Sequence, residues 1–143
     1  MAGRNPILVA LDVPDAQKAR SLARELASVA GGFKIGSELF TAAGPDLVRE
    51  IRGSGAIVFL DLKFHDIPNT VARAVAAAVR LDVQMLTIHA GGGSAMIRAA
   101  QTAAENTARE LGRPAPLVLG VTVLTSMDAP ALGETGCDVK PEE

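Results

Sequence analysis

Three observations on this sequence predict an α/β fold with a parallel sheet. Short apolar runs alternate with alanine-rich amphipathic stretches along the whole chain, the connections between them are short, and charged or polar residues gather just after the apolar runs. Strict β-α-β-α alternation requires parallel strands joined by right-handed crossovers, with helices covering the sheet.

The elements follow in order. Ile7 to Leu11 reads as the first strand and Asp15 to Ala30 as a helix. Phe33 to Ile35 is a short strand, and Pro45 to Arg52 a helix opened by proline, whose fixed φ suits a first turn. Ala56 to Asp61, partly β-branched and preceded by Gly53-Ser54-Gly55, reads as a buried strand. Asn69 to Leu81 is helix, Gln84 to His89 strand, Ser94 to Leu111 helix and Leu117 to Leu124 strand, with Asp128 to Leu132 beginning a further helix.

An open doubly wound sheet and a closed (β/α)8 barrel both satisfy this alternation, so the polar residues arbitrate. Asp12 follows the first strand, Lys34 lies in the second, Asp61 and Lys63 end the third, His89 ends the fourth, and Thr125-Ser126 follow the fifth. A barrel collects all its C-terminal strand ends at one mouth, whereas an open sheet uses only those near its switch point. The first βα turn, Asp12-Val13-Pro14-Asp15, also lacks the G-x-G-x-x-G of a dinucleotide site. A (β/α)8 barrel is therefore expected. Residues 1–143 supply four βα units and a fifth strand, where such a barrel needs about 250 residues, so a single, C-terminally incomplete barrel domain is expected. The last stretch, Gly133 to Glu143, is polar and unstructured in pattern, and the first and fifth strands would be open edges.

Composition narrows the function. With a net charge of -2 and 3% aromatic residues, the chain offers neither a basic stripe for a phosphate backbone nor stacking platforms, which argues against nucleic acid. No apolar stretch approaches the roughly 20 residues that span a bilayer, and Met1 to Pro6 is too short and polar to begin a signal peptide, so no membrane partner and a cytoplasmic address are expected. Cys137 has no partner for a disulfide or a cysteine zinc cluster.

The run FLDLKFHDIPNT, Phe59 to Thr70, carries the chemistry: a D-x-K-x-x-D pattern at the end of a buried strand. Packing gives such a strand no reason to end in Asp61, Lys63 and Asp66, because charged side chains are almost never fully buried unless paired. In a strand Asp61 and Lys63 would share a face and project into the same space. The bland alternative, surface ion pairs worth about 0 to 1 kcal/mol each, explains the charges but not their spacing. His65 and His89 read as packing or rim-bonding residues, and Ala90-Gly91-Gly92-Gly93 as a tight βα turn, since the Lys-Ser/Thr of a phosphate-binding P-loop is missing. Met85, Met96 and Met127 read as core or near-core filler.

Taken with LVALDVPD (Leu8 to Asp15), GFKIG (Gly32 to Gly36) and VTVLTSM (Val121 to Met127), that signature resembles the bacterial type of the orotidine 5'-phosphate decarboxylase family, in order and spacing along the whole chain. The resemblance implies a dimeric (β/α)8 barrel that converts orotidine 5'-monophosphate to uridine 5'-monophosphate and carbon dioxide, the last step of pyrimidine nucleotide synthesis, with no metal or organic cofactor. It implies that Lys34, Asp61, Lys63 and Asp66 form an alternating charged tetrad in which Lys63 is the proton donor. Asp61 would lie against the substrate carboxylate, and Asp66 and Thr70 would act across a homodimer. Asp12 and Lys34 would hold the ribose hydroxyls, Ile67 would line the substrate site, and Thr125, or Ser126 if the loop alignment slips by one, would contact the pyrimidine. The family's phosphate clamp, a glycine-containing turn and an arginine, is expected beyond residue 143. Two other readings keep part of the pattern: a metal-using barrel that decarboxylates or condenses phosphosugars, and a non-catalytic partial barrel.

Overall fold

The computed structural model of the chain describes residues 5–137. Five strands, β1 (Leu8–Ala10), β2 (Gly32–Gly36), β3 (Ile57–Phe64), β4 (Met85–His89) and β5 (Leu117–Val121), form one sheet in sequence order. Every neighbouring pair is parallel. Helices α1 (Ala16–Leu26), α2 (Ser37–Gly53), α3 (Pro68–Val79) and α4 (Gly93–Glu110) connect successive strands, and α5 (Ala129–Glu134) follows β5. The sequential order is that of a barrel wall, with β1 and β5 at its two ends.

The core lies between the sheet and the helices. Phe33, Ile35, Val58, Leu60, Leu86 and Ile88 from β2 to β4 are buried against Leu39, Val48, Val71, Val75 and Met96 from the helices. Burying a valine or leucine side chain contributes about 1.5–3 kcal/mol, so α3 is held by Val71, Val75 and Val79, spaced four apart on one stripe. On α4 the buried stripe is small, with Ala100, Ala104 and Ala108, which lets α3 and α4 approach closely. Met96 fills this core as expected, whereas Met85 and Met127 are only half-buried.

Several boundaries differ from the sequence reading. Helix α1 ends at Leu26 rather than Ala30, because the amides of Val29 and Ala30 both turn back onto the Leu26 carbonyl. Helix α2 begins at Ser37, ahead of the expected start at Pro45, and is kinked at Gly44, which adopts φ 69° and ψ -173° before Pro45. Only the second half was expected. The first half is anchored by buried Leu39, and Gly-Pro is the break between the two segments. Strand β5 stops at Val121 rather than Leu124, and Gly133 and Glu134, read as part of a polar tail, belong to α5. Residues 138–143 of that tail lie outside the described residues.

Strand β3 is longer than expected and irregular. Leu60 pairs with Leu86 and Phe64 with Ile88, so four steps on β3 face two on β4 and two residues are extra. Lys63 sits in this bulge with φ 50°, a left-handed conformation uncommon for any residue but glycine, asparagine or aspartate.

Candidate active site

The polar residues lie on the strands or just after them. Asp12 follows β1, Lys34 is the third residue of β2, and Ala10 pairs with Lys34 across the two strands. The Lys34 ammonium donates to Asp12 Oδ1 at 2.6 Å. Gly36, one step up the same face of β2, makes room for this pair: a Cβ there would lie 3.4 Å from Lys34 Nζ and 3.6 Å from Asp12 Oδ1. The pattern GFKIG contained that clue, because glycine inside a strand marks a close approach.

On β3, Lys63 Nζ donates to both oxygens of Asp61, at 2.8 and 2.9 Å. The two residues therefore meet as expected, but through a bulge rather than through the regular alternation of a strand. A third group was missed. Thr87, on β4 and only 4% exposed, donates its hydroxyl to Asp61 Oδ1 at 2.9 Å and accepts the backbone N–H of Lys63 at 2.9 Å. One hydroxyl thus holds both the carboxylate and the strained backbone of the lysine. Its signal in the sequence is a hydroxyl between Leu86 and Ile88, which the β propensity of threonine disguises as an ordinary strand residue.

Burial pushes the Asp61 carboxyl up, but hydrogen bonds from Lys63 and Thr87 and the charges of Lys63 and Lys34 outweigh it, so its pKa lies below the ordinary aspartate value. Asp61 is an anion at neutral pH. The mouth therefore holds cation and anion alternately, Lys34 against Asp12 and Lys63 against Asp61, with Lys34 near enough to act on Asp61.

Among the described residues, the remaining candidates make no hydrogen bond or ion pair with this cluster. Asp66 Oδ1 accepts the amide of Ile67 at 2.6 Å, and Ile67, 67% exposed, is the N-cap of α3. Thr70 is exposed in the first turn of α3, and its amide bonds the Ile67 carbonyl. Thr125 and Ser126 are exposed in the turn after β5. His65 and His89 stack at the mouth with ring centroids 5.2 Å apart and a 42° tilt. Gly92 packs against Met96 and lies near the His65 ring, in the single 3₁₀ turn Ala90–Gly92 that joins β4 to α4. No group of three or more histidine, cysteine, aspartate or glutamate side chains that could hold a metal ion occurs among the described residues.

The profile of the orotidine 5'-phosphate decarboxylase / HUMPS family matches residues 5–142. The chain belongs to this family. An orotidine 5'-phosphate decarboxylase of Moorella thermoacetica is 53% identical over 144 residues, which take in 100% of this chain and 57% of that protein. One of Paramagnetospirillum magneticum is 50% identical across 92% of this chain and 56% of its own length. The crystal structure of orotidine 5'-phosphate decarboxylase from Lactobacillus acidophilus matches with a TM-score of 0.82 at 35% identity, covering 95% of this chain and 61% of that one. The chain thus spans a little over half the length of the curated relatives it matches, and its sheet is an arc of the family's (β/α)8 barrel.

Proposed function

We propose that this chain supplies the catalytic strands of an orotidine 5'-monophosphate decarboxylase, with Lys63 as cation and proton donor. The observation that carries the reading is the Lys63 ammonium seated on both oxygens of Asp61 at the C-terminal ends of the strands. In the reaction the bond from C6 of the pyrimidine to the carboxylate carbon breaks, carbon dioxide leaves, and the electron pair stays on C6 in the ring plane. A Lys63 N–H then delivers its proton to C6, and the neutral amine regains a proton from water.

The pair on C6 has no adjacent π acceptor, so its charge must be met electrostatically. A cation about 4 Å from an anion is worth roughly 4 kcal/mol at an effective dielectric of about 20, and more once water is excluded. Asp61, accepting from the Lys63 ammonium with both oxygens, aims it at the substrate. Asp12 and Lys34 are assigned to the ribose hydroxyls, and Ile67 to the wall beside the pyrimidine. Thr125 is assigned to the base, with Ser126 as the neighbouring choice. Asp66 and Thr70, both exposed and without a hydrogen bond to the cluster of their own chain, are assigned to the site of a second copy in a homodimer. The single-domain reading of residues 1–143 and a cytoplasmic address accompany this proposal.

The test uses a fusion of this chain to the part of the Moorella thermoacetica relative that it does not cover. Orotidine 5'-monophosphate should lose carbon dioxide in its presence, and Lys63→Ala should abolish turnover. Ordinary turnover by Lys63→Ala would refute the mechanism. Turnover that required magnesium and accepted a phosphosugar would point instead to the metal-using barrel.

A further inference from the structure

At the opposite end of the sheet from Lys63, where the chain enters β3, β4 and β5, four arginines line one cavity of about 270 Å³: Arg49, Arg52, Arg80 and Arg113. The only carboxylate in the same lining is Asp82. Two further carboxylates pair from outside it, Asp46 with Arg49 at 2.7 Å and Glu110 with Arg80 at 3.8 Å. Four cations against these three anions leave a surplus of one positive charge, in a chain whose net charge is -2.

A structural staple accounts for only one of the four. Arg52 donates to the Asp82 carbonyl at 2.9 Å and the Ala56 carbonyl at 3.1 Å, and it reaches Asp82 Oδ2 at 3.0 Å, so it ties the two connecting turns together by itself. Arg113 stands 3.5 Å from Asp82 Oδ1, and neither it nor Arg80 makes a side-chain hydrogen bond among the described residues. Pairs this long and exposed contribute about 0 to 1 kcal/mol, so stability does not explain why Arg80 and Arg113 line the same cavity.

From this geometry we propose a second, anion-binding site, distinct from the catalytic mouth, that takes an oxyanion of the phosphate class between Arg80 and Arg113, with Arg49 on its rim. Guanidinium forks match the oxygen spacing of a phosphate group and form short charge-assisted bonds with it. Asp82 opposes the ligand and sets a modest affinity. It occupies a left-handed conformation, φ 62°, which asparagine also tolerates.

The experiment is an amide NMR titration of the 143-residue chain with inorganic phosphate, against sodium chloride at matched ionic strength. Phosphate should produce saturable shifts at the amides of Arg80 to Gln84 and of Gly112 and Arg113. The double variant Arg80→Ala/Arg113→Ala should weaken binding by about tenfold or more, since it removes both charged forks. Asp82→Asn keeps the turn and should tighten binding several-fold, which also guards against misreading a variant that simply folds poorly. Lys63→Ala should leave these shifts unchanged, so this result is independent of the decarboxylase reading. Shifts no larger than with chloride, shifts confined to Lys34 and Lys63, or an Asp82→Asn variant that binds no better would overturn the proposal.

Discussion

Thr87 is the residue on which the catalytic mouth turns. Its hydroxyl is spent twice, toward Asp61 and toward the amide of Lys63, and it is buried. Valine has nearly the same shape without the hydroxyl. Thr87→Val should therefore leave a carboxylate short of one donor and a backbone N–H without its acceptor, destabilising the fold by about 1–3 kcal/mol in a denaturant titration. The pKa of Asp61 offers a separate readout. Because its folded value is depressed, its contribution to stability is fully present above the unfolded aspartate value and is lost as pH falls through the folded value. Lys63→Met removes a hydrogen bond and a charge that hold the carboxyl ionised while the cost of burial remains. The carboxyl carbon of Asp61 should then titrate at higher pH by NMR than in the parent chain, and an unchanged midpoint would show that Lys63 is not what holds Asp61 ionised.

At the scale of elements, what could be read from the sequence and what could not divide along physical lines. The strands and most helices were legible because apolar runs and alanine-rich stretches carry different periods, and Asp12, Lys34, Asp61 and Lys63 were legible because each charge interrupts, ends or follows such a run. The bulge in β3 was not. Asp61-Leu62-Lys63-Phe64 alternates polar and apolar as a regular strand does, and only pairing with β4 reveals the two extra residues. The first half of α2 was hidden for another reason: the Gly44-Pro45 break makes it look like a loop before a helix. That break gives an element-level prediction. At φ 69° and ψ -173° Gly44 occupies a region essentially reserved for glycine, and a Cβ there would meet no atom within 4 Å. Gly44→Ala should therefore cost about 1–3 kcal/mol purely through backbone strain, measured as a lowered unfolding midpoint.

For the whole molecule, the arrangement of Asp66, Ile67 and Thr70 matters most. All three sit exposed at or just before the start of α3 and none bonds Lys63 of the same chain, so the charged run splits into a part that closes on itself and a part left open to solvent. If the outward part completes a neighbour's site, subunits inactivated by Lys63→Ala and by Asp66→Ala should regain part of the activity when mixed, through hybrid dimers with one intact site. In the fusion described above, absence of recovery despite confirmed subunit exchange would place Asp66 in its own chain's site. The same scale explains the bare apolar side chains on β5, where Leu117 and Leu119 stand exposed at the end of the sheet.

The insertion in β3 has an even count, and that parity matters. Leu60, Leu62 and Phe64 all line the same apolar pocket beneath α2 and α3, so the strand leaves the irregularity facing the way it entered. An odd insertion would have turned every later side chain inside out, driving Phe64 toward the mouth and the lysine into the helical layer. A pair of residues is thus the smallest insertion such a wall can take while the strand beyond it keeps its lining, so an added lysine enters the mouth without the barrel being rebuilt.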